Sequence, residues 1–192
     1  MRIIRDVTAD EVIVEFLKAE IVSPSCGHWY RTSMKRLGVD FEMIERADLN
    51  NPEHNAIRTR LLTEIRGTLL KDLPEIVKWK LTELECEDLK TMKYINHSTW
   101  NTLTKQSRLV ADGARNVDSI QTFDDANRHI KEIAKSLIKG AHFPAIIIVG
   151  DKDQGFVIIE GSKRATAHIL AKTKNILAFV GRSSRLSSWK FF

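Results

Sequence analysis

Apolar residues recur at helical spacing over several stretches of the chain and at strand spacing over a few others, and the two patterns are separated by glycine, proline and polar clusters. Thr8 followed by Asp10 and Glu11 predicts a capped helix reaching Ile21, with acidic residues complementing the free N–H groups of its first turn. Pro24 and Gly27 break the next segment, which is irregular to helical and stops at Gly38. Asn51 as a cap, Pro52 at the first helical position and Ile57, Leu61, Leu62 and Ile65 at helical spacing predict a second long helix, its exit bracketed by Gly67 and Pro74. In VKWKLTELE the period drops to two, with Val77, Trp79 and Leu81 on one side and Lys78, Lys80 and Thr82 on the other: a strand with one buried face.

From Cys86 to Val117 the pattern gives helical segments joined by polar turns, and TFDDANRHIKEIAKSLIKG gives a capped helix with Ile130, Ile133, Ala134 and Leu137 facing inward and Gly140 ending it. The last fifty residues change character. AIIIVGD, FVIIEG and NILAFVG are three short strands, KDQG is a hairpin connection between the first two, and the helix SKRATAHILAK separates the second from the third. The expected fold class is therefore α+β: a helical N-terminal region over residues 1–75 and a domain over residues 76–192 with a small mixed sheet flanked by helices.

Composition narrows the function classes. A length of 192 residues with 43% hydrophobic content supports one substantial core and a smaller helical extension. Thirty Lys and Arg against 25 Asp and Glu give a net charge of +5, which suits anionic partners. Cys26 and Cys86 are the two cysteines; with no CxxC and no Cys/His spacing they imply neither a zinc site nor a disulfide framework. Asp6, Asp10 and Glu11 interrupt the apolar start, unlike a signal peptide, and the longest apolar run, FPAIIIVG, is far below the roughly 18 residues of a membrane helix. A cytoplasmic protein without a membrane partner is expected.

The chemistry concentrates at GFVIIEGSKRATAHILA, residues 155–171, where an apolar strand ends in Glu160 and Gly161 and a helix opens with Ser162, Lys163 and Arg164. Cations at a helix N-terminus cost about 0.3–1 kcal/mol each, and a bound anion would explain their presence. Gly161 lets a phosphate approach the backbone, Ser162 can donate a hydroxyl hydrogen bond, and Lys163 and Arg164 supply charge. Glu160 can hold a metal ion or act as a catalytic base, or it can simply pair with Arg164 or Lys163.

The string IIEGSKRATA, with two hydrophobic strands before it, resembles the signature of the ParB/sulfiredoxin-like superfamily, most clearly over residues 140–182 and more weakly over 76–139. In that superfamily the junction binds nucleotide phosphate, and its members include partition proteins that hydrolyse CTP, sulfiredoxin and free-serine kinases. The resemblance implies a nucleotide or other phosphate ligand at Gly161, Ser162, Lys163 and Arg164, a nucleoside triphosphate with Mg²⁺ as cofactor, and nucleotide hydrolysis or phosphoryl transfer as the activity. The cysteine of sulfiredoxin is replaced by Ser162, which cannot carry thiolate chemistry. The alternative is a non-enzymatic nucleic-acid-binding module of the same class.

Other constellations hold both readings. Trp100, Thr104, Lys105, Ser107 and Arg108 form a polar turn that either meets a ligand or anchors a loop. His28, Trp29 and Tyr30 interleave with Arg31, Lys35 and Arg36, either to stack bases or as core aromatics beside a solvated basic face. Arg58 and Arg66 lie about two turns apart on similar faces of one helix. Trp189, Phe191 and Phe192 close the chain as packed or presented aromatics, and the six histidines, His168 among them, form no HxxxH or HExxH pattern.

Overall fold

A computed structural model describes all 192 residues except Ser25, Val77, Phe123, Asp124 and Ser184. The described chain runs β1 (Arg2–Val7), α1 (Ala9–Ile21), α2 (Gly27–Leu37), α3 (Glu42–Glu45), α4 (Pro52–Leu70), β2 (Lys78–Glu85), α5 (Cys86–Lys90), β3 (Lys93–Tyr94), α6 (Ser98–Leu103), α7 (Val110–Asn116), α8 (Ala126–Ile138), β4 (Ile146–Asp151), β5 (Gly155–Glu160), α9 (Ser162–Leu170) and β6 (Asn175–Arg182). It is a mixed α+β protein. The chain divides into two compact units, Val7–Leu73 and Met1–Asp6 with Pro74–Phe192.

The first unit holds α1 to α4. Thr8 accepts from the Glu11 N–H and Asn51 from the His54 N–H, so both long helices begin where their caps stand. Gly38 ends α2 at φ 65°, a left-handed position that glycine reaches without strain. α4 ends at Leu70, between Gly67 and Pro74 as the sequence indicates, with Gly67 inside its last turns at a cost of about 1 kcal/mol. Phe16, Leu17, Tyr30, Met34, Ile44, Leu61 and Leu62 are buried there, and so is Arg58.

The second unit is built on a six-stranded sheet of order β1-β2-β6-β4-β5-β3. β2 and β6 pair antiparallel, β6 and β4 parallel, β4 and β5 antiparallel, and β5 and β3 parallel. The β4–β5 hairpin turns at Asp151, whose Oδ1 accepts the N–H groups of Asp153 and Gln154. Helices α5 to α9 supply the residues that close over one face, where Leu84, Leu89, Tyr94, Trp100, Leu103, Ile130, Ile146, Ile148, Ile158 and Val180 form one core. The alternate residues Ile147, Val149, Val157, Ile159 and Phe179 are buried as well, so the central strands are apolar on both sides.

β2 departs from the alternation read in the sequence. Thr82 and Leu84 are buried, whereas Trp79 and Leu81 are only partly so, and Val77 lies outside the described residues. Both faces of β2 are therefore covered, and Trp79 lies directly over Gly181, where an added Cβ would sit 2.7 Å from the indole ring. The apolar start of the chain, read as a short lead into α1, is strand β1 at the edge of this sheet.

Candidate functional site

The strand-to-helix junction forms where the sequence places it. β5 ends at Glu160, Gly161 turns the chain at φ 89°, and α9 starts at Ser162. No side chain caps α9, and its first internal bond runs from the Ala165 N–H to the Gly161 carbonyl. The N–H groups of the first turn are thus left for another acceptor. A Cβ on residue 161 would lie 2.6 Å from Ile146 Cγ2, so the turn is both left-handed and closely packed.

The four polar side chains of the junction separate into two pairs of different character. Glu160 and Arg164 close on each other as an i,i+4 ion pair, with their side chains only 9% and 11% exposed. Arg164 Nη2 also donates to the Ala145 carbonyl at 3.2 Å, which ties α9 to the chain entering β4. Ser162 and Lys163 take no part in that pair. The Ser162 carbonyl accepts from Thr166 Oγ1 at 2.8 Å while its own hydroxyl has no partner among the described residues. Lys163 Nζ stands 3.3 Å from His129 Nδ1 on α8, and neither group pairs with a carboxylate among the described residues. On its other side His129 Nε2 is 3.2 Å from Arg128 Nη2.

The structure therefore brings Gly161, Ser162 and Lys163 together as a half-buried, positively biased corner and commits Arg164 to Glu160. His129 belongs to no sequence motif of this junction. It is 34 positions from Lys163, and no local pattern signals that approach. Among the described residues no group of three His, Cys, Asp or Glu side chains could hold a metal ion. Glu160 stands as the carboxylate of this corner, and it is engaged.

Beneath α9, Tyr94 and Thr166 share a 2.6 Å hydroxyl bond, and Tyr94 stacks on Trp100 with ring centroids 4.5 Å apart. His168, one turn beyond Arg164, is buried and bonds Thr173 Oγ1 through Nδ1 at 2.6 Å. Burial, and secondarily the nearby Arg164 charge, pulls its pKa from the ordinary 6.5 down to about 4. Since the folded value is depressed, the unfolded chain takes up the proton first, and stability is lost as pH falls from 6.5 towards 4. We expect unfolding free energy to fall by about 2 kcal/mol between pH 7.5 and 4.5 from this group, and His168→Gln to flatten that part of the pH profile, as read by urea denaturation.

The remaining constellations make contacts of their own. Thr104 Oγ1 donates to the Trp100 carbonyl and accepts from the Arg108 N–H, Ser107 donates to Asp112, and Arg108 reaches the Phe192 carbonyl at 2.6 Å, so Thr104, Ser107 and Arg108 are engaged within the fold. In α2, Tyr30 and Met34 are buried, Arg31 binds the Ile21 carbonyl and Arg36 pairs with Glu64, leaving Trp29 61% exposed beside His28. Arg58 donates to the carbonyls of Met43 and Asp48 and to Asn55, whereas Arg66 pairs with Glu20 at 2.6 Å and touches Cys26 Sγ. The two arginines share no site. Trp189 is buried and tilts against Phe191. No described helix is long and apolar enough to cross a membrane.

The class these features define is a mixed α+β protein whose six-stranded sheet delivers an uncapped, basic helix N-terminus at the end of a central hairpin. No protein-family model, curated protein or solved structure matches the chain.

Proposed function

We propose that the β5–α9 junction binds a phosphate-bearing ligand, with a nucleotide as its preferred form. The observation that carries this reading is the contact of Lys163 with His129 beside an α9 start that no side chain caps. Two basic groups 3.3 Å apart with no carboxylate partner among the described residues gain most from an anion, and the free N–H groups supply the donors. The resemblance of IIEGSKRATA to the ParB/sulfiredoxin-like signature supports the same ligand class.

In this scheme Gly161 and the first-turn amides cradle the phosphate, Ser162 Oγ donates to it and Lys163 neutralises it, with His129 alongside. Arg164, held by Glu160 and the Ala145 carbonyl, fixes the angle at which α9 leaves the sheet. Mg²⁺ enters this reading with the ligand's own phosphates, because one engaged carboxylate does not make a protein-built cage. Binding precedes any hydrolysis or phosphoryl transfer in what we propose, and Glu160 would have to give up Arg164 to take part in either.

A thermal-shift series with inorganic phosphate and nucleoside mono-, di- and triphosphates, with and without Mg²⁺, tests it. A ligand at 100 times its Kd stabilises the fold by about 2.7 kcal/mol. Lys163→Ala is expected to weaken the best ligand at least about tenfold, the equivalent of about 1.4 kcal/mol, without lowering the melting temperature of the free protein. Absence of a shift with every nucleotide, together with DNA or RNA binding that weakens steeply with salt, would replace this reading by the nucleic-acid-binding module.

A further inference from the structure

β1 ends the sheet, and the side of it away from β2 carries no strand among the described residues. Residues Arg2 to Asp6 are all exposed, Ile3 at 55% and Ile4 at 47%. An edge of this kind offers a row of unpaired N–H and C=O groups, and its side chains decide what can join it. Here those side chains are complementary to themselves in one register.

We propose that β1 pairs antiparallel with β1 of a second copy of this chain, about a two-fold axis at Ile4, joining the two sheets edge to edge. In the sequence MRIIRDV that register sets Arg2 opposite the second copy's Asp6 at both ends, Met1 opposite its Val7, and Ile4 opposite its Ile4. A slip of one residue in one direction sets Arg2 opposite Arg5, and a slip in the other sets Asp6 opposite Ile3 and Arg5 opposite Ile4. Parallel in-register pairing stacks Arg2, Arg5 and Asp6 each on its own kind. Of these pairings, the one centred on Ile4 alone brings opposite charges together and leaves no like charges directly opposed.

The intrachain partners leave room for it. Arg2 bonds Glu83 and Asp6 bonds Lys80, both on β2, yet the Arg2 and Asp6 side chains remain 76% and 81% exposed. Each is anchored to β2 yet remains largely exposed to solvent. The contact is isologous, so it closes at two copies and does not propagate.

Sedimentation velocity over a concentration series tests the proposal, with the fold followed by far-UV circular dichroism. The wild-type chain is expected to shift from monomer to dimer with concentration, and Ile4→Lys, which opposes two ammonium groups on the axis, to raise Kd at least about tenfold. Arg2→Asp and Asp6→Arg are each expected to abolish the dimer alone. Mixed in equal amounts they should form it, because the mixed pair restores both opposite-charge contacts. A wild-type chain that stays monomeric up to about 1 mM overturns the proposal. So does a dimer indifferent to Ile4→Lys, or variants that fail to complement. Should the variants unfold, amide exchange of wild-type Ile3 to Asp6 decides: protection that is lost on dilution supports the pairing, and protection independent of concentration overturns it.

Discussion

Glu160→Gln is expected to destabilise the second unit by about 3–5 kcal/mol, the cost of leaving a buried guanidinium without its counter-ion. The Arg164 side chain is 11% exposed and its Nε is already buried without a partner, so it would be left with uncharged acceptors alone, the glutamine amide oxygen and the Ala145 carbonyl. The melting temperature should drop by roughly 6–20 °C at neutral pH. Replacing both partners by apolar residues, Glu160→Leu with Arg164→Met, should recover most of the loss, since what is costly is the uncompensated charge and not the missing attraction. The same pair of variants separates two roles for this carboxylate. A structural partner of Arg164 gives the stability pattern just described. If Glu160 instead serves a ligand, a metal ion or a reaction, Glu160→Gln leaves the melting temperature near wild type while nucleotide affinity or turnover collapses.

Gly161→Ala should cost about 3 kcal/mol, read as a shift in the urea midpoint without a change in slope. Part of that is backbone strain, about 1–2 kcal/mol for an L side chain held at φ 89°. The rest is overpacking: the new methyl would sit 2.6 Å from Ile146 Cγ2 and 2.9 Å from Arg164 Nη2, and Ile146 is fully buried with no space to retreat. Gly140→Ala is the matching control. Gly140 has φ 87° but nothing within 4 Å of an added Cβ, so it carries the strain without the clash and should cost only about 1 kcal/mol. Equal losses at the two positions would show that Ile146 yields and that the junction is looser than its packing indicates.

The nucleotide reading is linked to both variants. An α9 pushed away from Ile146 by a methyl at residue 161 moves the very amides that would cradle phosphate, so Gly161→Ala should lose affinity beyond what its stability loss explains. Lys163→Ala, by contrast, removes charge without touching the packing, since Lys163 is only half-buried and its contact is with His129.

Local chemistry wrote much of the fold into the sequence. Thr8 and Asn51 start α1 and α4 because their side-chain oxygens each satisfy an N–H group three residues on, a bond needing no distant partner. Asp151 turns the β4–β5 hairpin in the same way. The Glu160–Gly161–Ser162 junction is equally local: an apolar run, a glycine able to adopt positive φ, and a helix-period segment. The α+β class follows from those pieces.

What the sequence left open is decided by groups far apart along the chain. β1 has no clean alternation because it lies exposed at an edge, and it becomes a strand only by meeting β2. β3 is two residues long and exists as a strand only against β5. By sequence Glu160 could hold a metal ion, act as a base or pair with Arg164 or Lys163, and it is the fold that sets its side chain against Arg164 at the end of the strand. His129 joined Lys163 through the packing of α8 against α9, which no spacing foretells. Caps, turns and periodicity act within a few residues and can be read in order along the chain; partner choice among buried charges depends on which surfaces the fold brings together, and only the tertiary structure carries that.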